Sequence, residues 1–403
     1  MRFFRRTPAR TYLDYAGAMP VSDGAREAFL AALEQYGNPG AIHTEGRDAS
    51  GLLETARRAI AAELAVKAAE LTFVSGGTEG NDLAILGAYR AARAAGRRPE
   101  TLHAIASAIE HPSVLECFAR IAQEGVSVTY VSPDARGLIR PEAVAAALTQ
   151  DTFLVSVGWA NGEIGTIQPL SAIAARIRAH EKERRTRVLL HADAGQAPLY
   201  AHPHAHTLGV DLLTLDGGKL GSPRGIGALY AGHGAAIAPI LAGGGQEDGM
   251  RPGTPAVALA AGLAAALREV SRTRAAESAR LAGLREQLIA RIAAEPSLAG
   301  TIVNGTAKEQ LPHLLSISVP GIDNEYAALS LDQAGFAIAT KSACREGERE
   351  SHVVAALCGA EDAWRARSAL RISLGEASDA PVIDAFAAAL AHAAALSRRG
   401  PAA

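Results

Sequence analysis

The sequence predicts an α/β fold, a mostly parallel sheet with helices on both faces, followed by a smaller α+β region. Continuous apolar segments alternate with helical patterns through the first 230 residues. Strands without polar alternation are typical of parallel sheets that are buried on both faces. Polar clusters follow five of these apolar segments, and the carboxyl ends of the strands are where such sheets bind ligands.

The elements can be assigned in chain order. A helix begins after the N-cap candidate Ser22, and another covers Asp48 to Val66. The segment LTFV then ends in the glycine turn SGGTEGND, and a further helix follows. After it, helical segments separate the predicted strands LHAIAS, VSVTYV, FLVSVGWA and VLLHADAG. The glycine turn leaves backbone N–H groups unpaired at a helix start, which suits a phosphate, although an ordinary tight connection has the same pattern.

The domain change is expected near residue 258. An alanine-rich helical stretch runs from about Pro255 to Glu295, with a predicted break between Arg272 and Ala275. We predict a large domain over 15–258 and a small domain formed by 1–14 and 259–403. The small domain contains strands near LLSISV, FAIAT and ALRISLG, and a final helix from Asp379.

Composition restricts the classes of function. The 403 residues carry a formal net charge of −2 without a long block of one sign, which disfavours nucleic acid and anionic membranes as partners. No segment has the pattern of a signal peptide or membrane span, and the three cysteines fit a reducing compartment, so we expect a cytoplasmic protein. The alternating His202, His204 and His206 do not predict a metal site, because Pro203 interrupts the strand that this spacing requires.

The five polar clusters are expected to meet at one edge of the sheet. They contain amide, carboxylate, imidazole and amine groups within a few residues of each strand end. They are Ser75–Asn81, Glu110–Ser113, Asn161–Glu163, Asp193–Gln196 and Asp216–Lys219. This convergence predicts a small-molecule site at the carboxyl edge.

Lys219 and Asp193 are the most informative members of these clusters. A lysine at the end of a buried strand is a candidate amine nucleophile, although a surface hairpin would also explain it. A lysine and a carboxylate at neighbouring strand ends are the two anchors that pyridoxal 5′-phosphate requires, one for a Schiff base and one for the pyridine nitrogen. His111 offers a ring that stacks on the cofactor and carries protons, or simply packs at a helix start. Thr78 and its neighbouring N–H groups suit the phosphate.

Two further side chains are candidates for chemistry. Cys344 follows a strand and enters the charged loop CREGERESH, whereas Cys117 and Cys358 lie in apolar helical segments. Arg371 lies inside an apolar strand, which predicts an anionic partner. That partner is either a substrate carboxylate or a structural carboxylate.

Taken together and in order, the motifs resemble the cysteine desulfurases among the class V pyridoxal-phosphate enzymes. The resemblance covers nearly the whole chain. It is carried by YLDYAGAMPV, NPGAIHTEG, FVSGGTEGNDLAI, IEHPSVL, NGEIGTIQP, HADAGQ, DGGKLGSPRGIGALY, GGGQEDGMRPGT, TKSAC and LRISLG.

The resemblance implies a fold type I pyridoxal-phosphate transferase with a mostly parallel seven-stranded sheet, and it implies a role for each matching residue. Lys219 is the expected Schiff-base lysine, and Cys344 is the nucleophile that becomes a persulfide. The other expected cofactor contacts are Asp193, His111, Gln196, Asn161, Gly77, Thr78 and, across a dimer interface, Thr254. Arg371 and Asn161 are the expected substrate contacts.

The chain also departs from the family pattern. Gly162 replaces an asparagine that usually lies near the cofactor. Asp216 and Gly218 replace a serine and a histidine that usually contact the phosphate, and Asp248 replaces an arginine. An aspartate beside a phosphate would repel it, so these changes predict weaker cofactor binding.

The resulting expectation is a homodimeric enzyme that takes sulfur from L-cysteine, forms L-alanine and a persulfide on Cys344, and delivers sulfur to an acceptor protein. The acceptor and the pathway stay open among iron–sulfur clusters, thiolated RNA and cofactors. Two alternatives are a selenocysteine or cysteine-sulfinate lyase of the same fold, and a scaffold protein with impaired cofactor binding.

Overall fold

The computed structural model describes residues 10–305, 310–340 and 349–399, and side chains up to Ser397. The first strand and the first helices precede the main sheet. β1 (Thr11–Tyr12) is followed by α1 (Asp23–Ala32) and α2 (Thr44–Leu64). The Ser22 hydroxyl accepts a hydrogen bond from Ala25 N, as expected for an N-cap.

Strands and helices then alternate as predicted. The order is β2 (Leu71–Val74), α3 (Gly77–Ala94), β3 (His103–Ser107), α4 (Pro112–Gln123), β4 (Ser127–Val131), α5 (Pro141–Ala147), β5 (Thr152–Ser156), α6 (Leu170–Arg184), β6 (Leu189–Asp193), α7 (Ala205–Leu208), β7 (Leu212–Asp216) and β8 (Gly227–Ala231).

These strands form the predicted seven-stranded sheet, in the order β2-β8-β7-β6-β5-β3-β4. The pairs from β7 through β4 are parallel, whereas β8 is antiparallel to both of its neighbours. Strands β3, β5, β6 and β7 are almost entirely buried, which explains their unbroken apolar sequences. Their carboxyl ends share one edge with that of β2, which runs in the same direction as β7, so all five polar clusters begin there.

The remaining chain forms the smaller α+β region. It comprises α8 (Val257–Ala294), β9 (Ile302–Asn304), β10 (Leu314–Ser318), α9 (Asn324–Gln333), β11 (Phe336–Ala337), α10 (His352–Leu357), α11 (Trp364–Arg367), β12 (Ala369–Ser373) and α12 (Ala380–Arg399). β12, β10 and β9 form an antiparallel sheet, and β11 pairs in parallel with β1. The N-terminal strand thus belongs structurally with the C-terminal region.

The predicted break in the alanine-rich helix was wrong, because α8 is continuous over 38 residues. The polar residues that suggested a turn have partners along the helix side. Buried Arg274 donates from Nε to the Pro198 carbonyl at 3.0 Å, and Thr273 bonds back to the Glu269 carbonyl. Leu263 and Leu267 pack in the core of the large sheet, whereas Leu281 and Leu288 pack in the small-domain core. The passage from the large-domain core to the small-domain core therefore lies within α8. The domain boundary at residue 258 stays a prediction.

Helix α12 is long and apolar enough, over Ala380–Ser397, to cross a membrane by composition alone. One face of it is packed in the protein, since Ile383, Phe386 and Leu390 are completely buried in the small-domain core. This packing is typical of a core helix.

A buried ion pair holds the loop that precedes α8. Both Glu247 and Asp248 have positive φ, of 52° and 53°, which is unfavourable for residues with a side chain. The Glu247 carboxylate accepts two hydrogen bonds from Arg57 at 2.7 Å and one from Phe73 N at 2.8 Å. This bidentate pair ties the loop that contains Thr254 to α2 and β2.

Replacing Glu247 by Gln should lower the free energy of unfolding by about 3 kcal/mol, because it leaves the buried Arg57 charge without its main partner. Chemical denaturation monitored by circular dichroism measures the difference. The matched control is Glu54→Gln, which removes the other Arg57 partner. Glu54 is 45% exposed, so its loss should cost less than about 1 kcal/mol. Equal effects for the two variants would show that the Glu247 pair does not hold the loop.

Candidate active site

One cavity of about 850 Å³, including its open mouth, lies at the carboxyl edge of the large sheet. It is enclosed by the ends of β3, β5, β6 and β7 on one side and by β12 and α10 on the other. The predicted residues among its lining are Lys219, Asp193, His111, Gln196, Asn161 and Arg371. The structure therefore confirms that the polar residues at the strand ends meet at one edge of the sheet.

Asp193, the last residue of β6, is held in its charged form. Asn81 Nδ2 donates to Oδ2 and Gly195 N donates to Oδ1, both at 2.9 Å. Burial favours the neutral acid, but the nearby charge of Lys219 and the Asn81 hydrogen bond outweigh it, so the pKa of Asp193 is lowered. The carboxylate is therefore available as a fixed negative charge in the cavity.

Lys219 reaches over Gly195 from the short turn after β7. A Cβ on Gly195 would lie 3.3 Å from Asp193 Oδ1 and 3.7 Å from Lys219 Nζ. The glycine therefore leaves the space between the carboxylate and the amine open. A flat ring with one group for each of them suits such a space.

His111 is the N-cap of α4, and its ring is fixed by Ser113. Nδ1 accepts a hydrogen bond from Ser113 N at 3.2 Å and lies 2.8 Å from Ser113 Oγ. Nδ1 is thus an acceptor, and the neutral ring carries its proton on Nε2. Burial and the Lys219 ammonium lower the pKa of His111 to about 4, so the imidazole is neutral at physiological pH.

The structure answers the question about the partner of Arg371. This residue is in β12, and its NH2 contacts Asp14 Oδ1 at 2.8 Å while NH1 donates to the Gly162 carbonyl at 3.0 Å. The structural carboxylate is therefore present. Arg371 Nε is buried without a hydrogen-bond partner among the described residues, so this N–H at least is left for a ligand.

Gln196 and Asn161 are already engaged with the protein. Gln196 Nε2 donates to the Ala16 carbonyl at 3.1 Å, and its Oε1 accepts from His313 Nε2 at 3.1 Å. Asn161 Oδ1 accepts from Glu163 N and Ile164 N, and its Nδ2 donates to the Ile109 carbonyl. Asn161 thus shapes the turn, and one of its two Nδ2 hydrogens is left for a ligand.

Three predicted residues do not line this cavity. Gly77 and Thr78 form the start of α3, where Gly77 is buried against Asp216 and Thr78 is exposed. Thr254 is exposed in the loop before α8. Their proposed phosphate contacts stay predictions. Cys344 lies in 341–348, outside the described residues. The residues flanking that segment are tied to the site, because Ala339 pairs with Arg371 and Ser351 Oγ donates to Glu163 at 2.5 Å.

Several residues in or beside the cavity had no predicted role. Asn81 was only part of a glycine-rich cluster, yet it orients Asp193. His352 lines the cavity, and its Nε2 lies 3.1 Å from the Glu110 carbonyl oxygen. Glu110 is buried, and its carboxyl group accepts a hydrogen bond from Gly158 N at 2.8 Å. The position of Glu110 directly before His111 was the feature of the sequence that could have indicated its role.

The described residues contain no cluster of three or more histidine, cysteine or acidic side chains that could hold a metal ion. His202, one of the alternating histidines, instead accepts a hydrogen bond from Arg274 through Nδ1 at 3.0 Å.

Comparison with known proteins agrees with the geometry. The model of the class-V aminotransferases matches residues 11–386. The chain belongs to the class-V aminotransferase family. A Bacillus subtilis relative named putative cysteine desulfurase IscS 1 is 34% identical and covers 91% of this chain and 93% of its own length. A solved NifS-like protein superposes with a TM-score of 0.87 at 29% identity, covering 96% and 100% of the two chains. A structure of SspA in complex with cysteine gives 0.76 at 30% identity, covering 90% and 98%.

The class-V family is pyridoxal-phosphate-dependent, and the cavity fits the ring end of that cofactor. Asp193 is anionic, Lys219 stands across the open Gly195 surface, and His111 presents a neutral ring. The start of α3, which would hold the cofactor phosphate, is not a simple anion-binding site. The first N–H groups of α3 lack a side-chain cap, but the Asp216 carboxylate lies against them.

Glu110 gives the site a pH-dependent contribution to stability. Burial, reinforced by the Asp193 charge, raises the pKa of Glu110 from 4.5 to about 8 against the Gly158 hydrogen bond. Below pH about 4, under the ordinary pKa of 4.5, the group is largely protonated in both states. Between pH about 5 and 8 the folded state binds more protons, so stability falls by up to about 1.4 kcal/mol per pH unit as pH rises.

The Glu110→Gln variant should lose this dependence, because it cannot ionise. Urea denaturation of the apo protein between pH 5 and 8.5 should show a smaller decrease in stability with pH than in the wild type. The control is Glu54→Gln, whose pH profile should parallel that of the wild type. Parallel profiles for Glu110→Gln and wild type would show that Glu110 is ionised in the folded protein.

Proposed function

We propose that the protein is a pyridoxal-phosphate-dependent cysteine desulfurase that removes sulfur from L-cysteine, giving L-alanine and a persulfide on Cys344. The observation that carries the proposal is one cavity that combines the ionised Asp193, Lys219 and the buried Arg371. The relatives that share the whole chain and are named cysteine desulfurases support the choice of substrate.

Three groups would hold the ring end of the cofactor. Asp193 would pair with the ring nitrogen, Lys219 would form the covalent link, and His111 would pack against the ring. When bound, pyridoxal phosphate supplies an electron-withdrawing ring that stabilises the charge left by removal of the α proton. Gln196 keeps its orientation through His313 and the Ala16 carbonyl.

Arg371 would bind the substrate carboxylate. The Asp14 carboxylate already occupies NH2, so a substrate either engages the remaining Nε donor or displaces Asp14. An arginine that is 5% exposed forms strong charge-assisted hydrogen bonds, and these fix the orientation of a small amino acid.

The protein's own groups would move the protons and the sulfur. The Lys219 amine, free of the cofactor while substrate is bound, would remove the α proton, and the neutral His111 would exchange a proton at Nε2. The Cys344 thiolate attacks the substrate sulfur, so that an S–S bond forms as the C–S bond breaks. The substrate carbon takes up a proton and leaves as alanine, and the persulfide retains the transferred sulfur. The net reaction requires no external oxidant.

The sulfur would pass from Cys344 to an acceptor protein, and we place this reaction in the cytoplasm. Support for transfer comes from the described residues on either side of 341–348, because Ala339 pairs with Arg371 and Ser351 Oγ donates to Glu163.

Purified protein with added pyridoxal phosphate should release alanine and sulfide from L-cysteine in the presence of a thiol reductant. Lys219→Ala should abolish alanine formation and the visible absorbance of the bound cofactor. Cys344→Ala should keep the absorbance and lose at least about 100-fold in alanine formation from cysteine.

Cys358→Ala is the matched control, since Cys358 follows α10 and does not line the cavity. Alanine formation that survives in Cys344→Ala would favour a selenocysteine or cysteine-sulfinate lyase. A protein that takes up no cofactor at all would contradict the proposed function and favour the scaffold alternative.

We also propose a homodimer, supported by exposed apolar side chains in and after α1. Leu30, Leu33, Tyr36 and Ile42 are 54%, 53%, 85% and 90% exposed. Such side chains are unfavourable in water unless a partner covers them, and a second copy of the chain would do so.

Light scattering coupled to size exclusion should give twice the chain mass of 41.6 kDa. Tyr36→Glu and Ile42→Glu should shift the population towards the monomer, because each places a charge in an apolar interface. Leu329→Glu on α9, where the side chain is 66% exposed, is the matched control and should leave the mass unchanged. A monomeric wild type would overturn this assignment.

A further inference from the structure

Asp216 lies where the start of α3, the end of β7 and the turn Gly217–Lys219 meet. The residue ends β7, and its Oδ1 accepts a hydrogen bond from Gly218 N at 3.0 Å. A Cβ on Gly77 would lie 3.2 Å from Asp216 Cβ and 3.3 Å from Oδ2, so the carboxylate is in contact with the first turn of α3. Lys219 follows three residues later. The carboxylate therefore adjoins both the lysine and the helix start.

The start of α3 is a site that attracts anions. Gly76 has a φ of 156°, and the helix begins without a side-chain cap on its first N–H groups. Unpaired N–H groups and the helix dipole together favour a phosphate at such a position. Helix α3 packs closely on β7, since a Cβ on Gly80 would lie 2.6 Å from Thr214 Cγ2. The helix start therefore lies at the carboxyl end of β7, which the Lys219 turn follows, and would hold the phosphate of a cofactor linked to that lysine.

We propose that Asp216 is a competing anion at the phosphate end of the cofactor site, so that the protein binds its cofactor with uptake of a proton at Asp216. The proposal rests on the proposed function, because it takes pyridoxal phosphate as the ligand. A carboxylate and a phosphate within a few ångströms repel each other strongly in a partly buried site. Protonation of Asp216 removes the repulsion and provides an O–H donor.

The surrounding charges are consistent with a titratable Asp216. Burial raises the pKa of Asp216; Lys219 and the Gly218 N–H oppose this shift, and Asp193 adds to it. On α3, Glu79 is neutralised by Arg251 at 3.0 Å. From the loop before β8, Arg224 lies beside Gly218, with its Cγ 3.5 Å from where a Cβ would be. A bound phosphate adds negative charge and raises the pKa of Asp216 further.

The consequence for the protein is a cofactor that is held more tightly at lower pH. As pH rises, Asp216 ionises and the affinity for pyridoxal phosphate decreases. The affinity for pyridoxal, which lacks the phosphate, does not change for this reason. Asp216 thereby determines how readily the cofactor exchanges.

The test is the dissociation constant of pyridoxal phosphate from the full-length apo protein, measured by equilibrium dialysis between pH 6 and 8.5. At pH 8, Asp216→Asn and Asp216→Ser should each bind about tenfold or more tightly than wild type, and the difference should shrink towards pH 6. The control Asp384→Asn removes the same charge from α12, where Asp384 forms an exposed ion pair with Arg291 of α8. Its affinity for pyridoxal phosphate should equal that of wild type. Pyridoxal should bind wild type and both Asp216 variants alike.

Calorimetry in buffers of different ionisation enthalpy provides a second measurement. Wild type should take up more protons on binding than Asp216→Asn. Equal affinities and equal proton uptake would overturn the proposal while leaving the proposed function intact. An absence of binding in the wild type and in both Asp216 variants would overturn both. Tighter pyridoxal binding in Asp216→Asn would also overturn it, because the effect would then not depend on the phosphate.

Discussion

The site depends on one electrostatic arrangement, a carboxylate kept ionised next to a lysine at the ends of two adjacent parallel strands. Asp193 ends β6 and Lys219 follows β7, and these strands are neighbours in the sheet. Burial alone would neutralise the acid. The Asn81 amide, the Gly195 N–H and the lysine charge keep it ionised, and the same lysine charge helps to keep His111 neutral. One arrangement thus sets the protonation of the two groups nearest to the lysine.

The wall opposite the large sheet is built by residues far away in sequence. Arg371 in β12 reaches Asp14 near the N-terminus and the Gly162 carbonyl in the turn after β5. These contacts join the small region to the cavity, and they make Asp14 a competitor of any incoming carboxylate. Gly162 also matters for Gln196, because a Cβ at Gly162 would lie 3.1 Å from Gln196 Nε2. Its departure from the family pattern thus leaves space beside a predicted cofactor contact.

Much of this arrangement could be predicted from the sequence, because it follows from local patterns. Unbroken apolar segments indicated the buried strands, and the polar residues after them indicated the shared edge, so Lys219, Asp193 and His111 were found together. The continuity of α8 could not be predicted, because its polar middle is stabilised by the distant Pro198 carbonyl. The pairing of Arg371 with Asp14 and the role of Asn81 depend on tertiary contacts that no local pattern encodes. Glu110 lacked an interpretation because its raised pKa arises from burial.

The central claim is that the ionised Asp193 enables the bound cofactor to stabilise charge at the substrate α carbon. The most direct measurement is the exchange of the α proton of L-alanine with deuterated water, followed by proton NMR in holoenzyme carrying Asp193→Asn. The account predicts that the variant still binds cofactor through Lys219 but exchanges the α proton roughly 100-fold more slowly than wild type, or slower still. Exchange at the wild-type rate in a cofactor-loaded Asp193→Asn protein would contradict it.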